Sequence, residues 1–211
     1  MIVKEIYDIS LPLGEDCQRY PGDTPFCRQQ LCRLEEAGYN LFSLTMSSHA
    51  GTHLDSPAHL VVGGRTIDQI APQELILPAR VAFVPGQGPI VARDIQDLDL
   101  SPGEALLFKT ENSASGLSRS PRFREDYVCL SPGAAELCLR RGAALVGIDC
   151  LSVDRFDDPG LPVHKILLGH GIPILEGIDL GRVDQGSYTL ICLPLNITDA
   201  EASPARALLV R

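Results

Sequence analysis

Short apolar runs recur along the chain and set its predicted architecture. The stretches "IVKEIYDISL", "NLFSLTMSS", "ARVAFVP", "EALLFKT", "AALVGIDCLSV", "GIPILEGID", "SYTLICLPL" and "RALLVR" read as strands separated by Gly- and Pro-bearing turns. In "FSLTMSSH", Phe42, Leu44 and Met46 alternate with Ser43, Thr45 and Ser47, the period-2 signature of a half-buried strand. "AALVGI" is apolar almost throughout, which predicts a strand buried on both faces in an α/β layer protein. One helix is well punctuated: Ser131 caps it, Pro132 takes its first position, "AAELCLRR" fills it and Gly142 stops it. A shorter one is predicted from Pro162 through "VHKILL" to Gly169, and another in "ARDIQDL". "TENSASGLSRSPRF" and "LGEDCQRYPGDTPF" read as exposed loops. The expected class is α/β, strand-rich, with few long helices.

Length and composition narrow this picture. A chain of 211 residues favours one domain spanning 1–211. At that size folding buries roughly 70% of the unfolded surface, so the core needs no disulfide or metal staple. A hydrophobic content of 45% with 21% charged residues is that of a soluble globular protein. The net charge of −9 argues against nucleic acid, whose phosphates demand a basic surface, and against a polybasic membrane contact. No apolar run approaches a membrane span, and "MIVKEIYDIS" has no signal-peptide core and reads directly as structure. Seven cysteines, scattered singly with no CxxC pair, suit a reducing cytoplasm.

The candidate chemistry is concentrated in "HAGTHLDSPAHL", which holds His49, His53 and His59, three of the chain's five histidines. His49 continues the polar series of the preceding strand and is expected to leave it on the hydrophilic face. Gly51 and Pro57 then argue for a tight or distorted helical turn. His49 and His53 have a spacing that brings two imidazoles to one ion, and Asp55 adds a carboxylate. Two neutral nitrogens and a carboxylate suit zinc, manganese or iron, and three protein ligands leave room for a water. Taken singly, such residues also read as surface or turn groups, since Asp before Ser-Pro is ordinary turn chemistry. Glu176 in "PILEGID" reads, from its own surroundings, as a solvated strand-end residue. His170, between Gly169 and Gly171, reads as a turn residue rather than a ligand.

"HAGTHLDSPAH" resembles the H-x-G-T-H-x-D-x-P-x-H signature of the metal-dependent cyclase family, which includes bacterial kynurenine formamidases and isatin hydrolases. "YPGDTPF", "LLFKT" and "GIDCLSVD" resemble further family segments, so the likeness covers nearly the whole chain. The resemblance implies a swivelling β/β/α fold, a homodimer or homotetramer, and two zinc or manganese ions per subunit. It implies that His49, His53 and Asp55 bind the first metal, that His164 binds the second, and that Asp55 and Glu176 bridge both. His164 and Glu176, twelve residues apart in "HKILLGHGIPILE", stand as the family's remote histidine and glutamate do. Two divalent ions carry four positive charges, which the two carboxylates and a hydroxide offset in part.

In that pattern His59 is not needed as a ligand and is free for proton transfer, because an imidazole titrates near neutrality. The implied reaction is attack of metal-activated hydroxide on a carbonyl, with His59 delivering a proton to the departing nitrogen or oxygen. The family's formamidases carry tryptophan where this chain has Tyr20; tyrosine keeps an aromatic ring for an aryl substrate and adds a hydroxyl. As a non-catalytic residue Tyr20 would anchor the loop beside Pro21 and Gly22, and Gly22, Asp23 and Thr24 read as turn formers. The reading is a small-molecule amidohydrolase acting on an aryl formamide such as N-formylkynurenine, with cyclic amide or lactone opening as the alternative. Two other classes stay open on residues alone: a cysteine-nucleophile amidase built on Cys150, and a metal-binding scaffold without turnover.

Overall fold

The computed structural model describes residues 5–211; Ile2, Val3 and Lys4 of the first predicted strand lie outside the described residues. The strands are β1 (Ile6–Asp8), β2 (Cys27–Cys32), β3 (Leu41–Thr45), β4 (His53–Asp55), β5 (Ile76–Phe83), β6 (Ala105–Lys109), β7 (Leu145–Ile148), β8 (Ile174–Glu176), β9 (Gly186–Pro194) and β10 (Ala202–Val210). The helices are short: α1 (Leu34–Ala37), α2 (Ala92–Ile95), α3 (Glu111–Ala114), α4 (Pro132–Arg140) and α5 (Pro162–Gly169). The α/β, strand-rich expectation holds, and α4 and α5 begin at the prolines predicted for them. Ser131 Oγ accepts the Ala134 N–H at 3.3 Å, and Gly142 ends the turn at φ 74°. Among the described residues no helix is long and apolar enough to cross a membrane.

The main sheet runs β1-β10-β4-β8-β7-β6-β5-β9, and β9 also pairs with β10, so every strand but β1 belongs to a closed ring. The β5–β6–β7–β8 arc is parallel, and the remaining pairs are antiparallel. Closure gives each strand an inner and an outer face. Leu54, Leu77, Leu107, Leu145, Leu175, Leu190 and Leu209 pack in one cluster. Leu106, Phe108, Val146, Ile148 and Ile174, from the alternate positions, pack in another with Ala134, Cys138, Val163 and Leu167 of α4 and α5. Within the run "AALVGI", β7 is buried on both faces because it lies between these two cores, while Ala144 just before it is exposed.

Three expectations are corrected. First, β3 is exposed at every position, with Phe42 at 37% and Leu44 at 55% of full exposure. It pairs only with β2 in a separate two-stranded sheet, so its alternation has no core of this chain to face. Second, the segment after Gly51 is a strand, β4, completed by pairing with both β10 and β8 rather than by local propensity. The helical part is confined to a single 3₁₀ turn at Pro57–His59. Third, the serine-rich loop is not wholly exposed: Thr110, Asn112, Ser113 and Ser118 are buried. Asp149, which follows β7, draws the first three inward by accepting from Thr110 N and Oγ1, Asn112 Nδ2 and Ser113 N, whereas Ser118 Oγ donates to Asp179 Oδ1.

Candidate metal centre

Strand periodicity builds half of the site. His53 is the cross-strand partner of Glu176, and Leu54 that of Leu175. Leu54 and Leu175 pack in the inner cluster, so the period of two places His53, Asp55 and Glu176 on the outer wall. There α5 brings up His164, and the turn before β4 brings up His49. The crossing of that turn with the end of β8 is tight. Gly177 sits at φ 64°, and a Cβ there would lie 2.3 Å from the Gly51 carbonyl oxygen, so only glycine fits.

The two carboxylates are two-sided. Asp55 Oδ1 lies 3.0 Å from His49 Nδ1 and 3.5 Å from His53 Nε2, while its Oδ2 lies 3.5 Å from His164 Nε2. Glu176 Oε2 lies 3.3 Å from His53 Nε2, and its Oε1 lies 3.4 Å from His164 Nε2. These approaches are not directed hydrogen bonds. His53 Nε2 and both Asp55 oxygens are buried without a hydrogen-bond partner, a costly arrangement unless a cation sits among them. His53, Asp55 and Glu176 offer ligand atoms within 4.8 Å of one another, as do His49, Asp55 and His59. The donor set, imidazole nitrogens with carboxylates, fits a divalent ion. His49, His53 and one oxygen of each carboxylate could hold one ion, and His164 with the opposite oxygens a second.

Electrostatics point the same way. Burial works against ionising Asp55, yet His53, His164 and His49 hold its carboxyl well below the usual range. Burial likewise opposes Glu176, and His164 and His53 pull it down. Burial lowers His53, but Asp55 and Glu176 outweigh it and lift the ring to about 9. His164 rises against burial through Glu176, Asp154 and Asp55. The centre thus keeps buried negative charge and draws protons onto its imidazoles, protons that a bound cation would displace.

Outer partners orient the rings, and residue reasoning missed them. His53 Nδ1 meets the Gly51 carbonyl at 2.9 Å, and His164 Nδ1 meets Asp154 Oδ2 at 2.7 Å. Glu201 Oε1 accepts from Ser48 Oγ at 2.6 Å and stands 3.5 Å from His49 Nε2. Asp154 closes the "GIDCLSVD" segment, but nothing in its spacing from His164 marks the pairing. Glu201, ahead of β10, is brought in only by the closed sheet.

His59 sits over the centre, its ring centroid 4.6 Å from that of His49 and 5.7 Å from that of His164. Burial is the main cause lowering its pKa. A cavity of about 200 Å³ is lined by His59, the other site histidines, Glu176, Tyr20 and Asp23. Larger hollows of about 380 Å³ lie elsewhere but hold no such ligand set, so chemistry rather than size picks the site. Tyr20 packs against Phe123 and Phe156 at centroid distances of 5.4 and 5.8 Å. Asp23 both closes the turn, donating its N–H to Tyr20 O at 3.1 Å, and forms part of the cavity wall. His170 is exposed, its Nδ1 on Ile166 O at 2.7 Å, apart from the centre. Cys150 is buried, and burial pushes its thiol well up, the opposite of an activated nucleophile.

Comparison with known proteins gives the family of the chain. The profile of the family described as "Putative cyclase" matches residues 7–155. A kynurenine formamidase of Bacillus cereus is 38% identical over 210 residues, 99% of each chain. A solved structure from Bacillus stearothermophilus, described as a "predicted metal-dependent hydrolase", is 30% identical with a TM-score of 0.85 over 98% of each chain. Isatin hydrolase A from Labrenzia aggregata shares the fold at 20% identity, with a TM-score of 0.82 over 98% of this chain and 93% of its own. The chain belongs to the metal-dependent cyclase family and is a hydrolase of that family.

Proposed function

We propose that the whole chain, residues 1–211, is one catalytic domain that hydrolyses the C–N bond of an aryl formamide such as N-formylkynurenine, using two divalent ions, zinc or manganese. The observation that carries this reading is the two-sidedness of Asp55 and Glu176, each of which turns one oxygen to His53 and the other to His164. The full-length likeness to a kynurenine formamidase supports the substrate class.

Bound divalent ions would polarise the scissile carbonyl and lower the pKa of the attacking water. His49, His53, Asp55, His164 and Glu176 hold those ions. His59, whose pKa burial lowers, takes a proton from the attacking water and returns it to the departing amine nitrogen. Tyr20, braced by Phe123 and Phe156, offers its ring to the aryl group. A homodimer or homotetramer and a cytoplasmic setting belong to the same proposal. They are supported by the exposed apolar β2–β3 hairpin and by seven free thiols.

The test is hydrolysis of N-formylkynurenine by protein reconstituted separately with zinc and manganese. Metal-dependent turnover is expected, reduced about 10²–10⁴-fold in His59→Ala while metal content stays the same. No turnover in protein carrying two ions refutes the formamide assignment and directs the search to cyclic amides and lactones. Full activity in His59→Ala refutes the proton-transfer role.

A further inference from the structure

We infer that Asp154 is a positioning residue for the second cation position, where its carboxylate orients His164 and anchors the helix that carries it. The inference rests on the two-ion reading above. Asp154 is 1% exposed. Its Oδ1 accepts the Val163 N–H at 2.8 Å; its Oδ2 accepts the His164 N–H at 2.9 Å and the His164 ring Nδ1–H at 2.7 Å. A carboxylate here only accepts, so Nδ1 carries a ring hydrogen and Nε2 is the nitrogen whose lone pair is left for a cation once it displaces any proton there. Nε2 is the atom that faces Asp55 Oδ2 at 3.5 Å and Glu176 Oε1 at 3.4 Å.

The anchor is itself fixed. The Asp154 N–H donates to Ser152 Oγ at 3.2 Å, and its carbonyl accepts from Tyr127 Oη at 2.8 Å. Helix α5 has no local cap, because Leu161, just before it, has no polar side chain and sits at φ 46° in the left-handed region. Asp154 therefore does from upstream what an N-cap residue does locally. The three site imidazoles are not supported alike. His53 has a neutral carbonyl behind it at 2.9 Å, and His49 faces Glu201 at 3.5 Å across a carboxylate that is 42% exposed. Of the three, His164 alone has a buried carboxylate in hydrogen-bond contact with the ring nitrogen turned away from Asp55 and Glu176. It is also the only imidazole among the ligands proposed for the second ion, whereas His49 and His53 serve the first, so that position depends most on its orientation and basicity.

The test uses metal-free full-length protein and Asp154→Asn, each titrated with zinc against a chromophoric chelator and with cobalt(II) read by its visible absorption. Asparagine caps a helix as well as aspartate does, so the fold is expected to survive. The thermal midpoint of each metal-free protein checks this. If Asp154→Asn melts, adding Leu161→Gly relieves the backbone strain at φ 46° without touching His164, and the double variant takes the same titration. The expected result is an unchanged first affinity, a second affinity weakened about 10–100-fold, and a changed cobalt spectrum for the second equivalent only. An unchanged second affinity and spectrum in folded variant overturns the inference, as does an equal fall at both positions. Fewer than two ions in the wild-type protein refutes the two-ion reading and this inference with it.

Discussion

Replacing Asp149 by alanine is expected to destabilise the protein by about 4 kcal/mol, a value worked from the groups it would strand. Asp149 is fully buried and accepts from Thr110 N at 2.8 Å, Thr110 Oγ1 at 2.7 Å, Ser113 N at 3.0 Å and Asn112 Nδ2 at 3.2 Å. These donors are not equally vulnerable. The Thr110 hydroxyl can rotate toward another acceptor, and the Asn112 amide keeps Val128 O at 2.8 Å. The two backbone N–H groups have no such alternative, and stranding a buried donor costs about 1–3 kcal/mol. Two such donors give roughly 2–6 kcal/mol, which brackets the expected loss. For a chain of this length each kcal/mol lowers the midpoint by about 2–4 °C, so Asp149→Ala is expected to melt about 8–16 °C below the wild type. Asp149→Asn keeps one acceptor oxygen and is expected to lose about half as much. Urea unfolding followed by circular dichroism measures both variants. A loss under about 1 kcal/mol for the alanine variant would refute the claim that this carboxylate holds segment 110–113 against the sheet.

EDTA is expected to abolish hydrolysis, whereas iodoacetamide applied to the native protein leaves it intact, since the Cys150 thiol is buried and pushed up; the opposite pattern would restore the cysteine mechanism. Gly177→Ala places a Cβ 2.3 Å from Gly51 O at a left-handed residue and should displace the turn carrying His49 and His53. Lower zinc content by elemental analysis, with a stability loss of at least about 1–2 kcal/mol, is the expected outcome. Tyr20→Ala is expected to raise KM for an aryl formamide by up to about tenfold, the equivalent of a ring contact worth about 0.5–1.5 kcal/mol, while Tyr20→Phe leaves it unchanged. Equal loss in both variants would mean that the hydroxyl, not the ring, meets the substrate.

Much of the architecture is local and therefore readable in the chain. Proline and serine set the start of α4, glycine its end, and the unbroken apolar run of β7 announced a strand covered on both sides. His49, His53, Asp55 and His59 are close in sequence, so their grouping needed no fold. His164 and Glu176 became candidates through resemblance alone, because from its own surroundings Glu176 looks like a strand-end residue in water. What buries it is its pairing with His53 across β4 and β8, a contact spanning more than a hundred residues. The same non-local pairing turned the expected turn after Gly51 into a strand. Asp149 likewise drew part of an apparently exposed serine-rich loop into the interior. The alternation in β3 misled for the converse reason, since a period of two shows that a strand has two different faces but not what covers either. Asp154 and Glu201 lay beyond any pattern. Which residue types could bind a cation was set by side-chain chemistry along the chain. Which carboxylate stands behind which imidazole was decided only by tertiary structure, because hydrogen bonds act over about 3 Å in space regardless of separation in sequence.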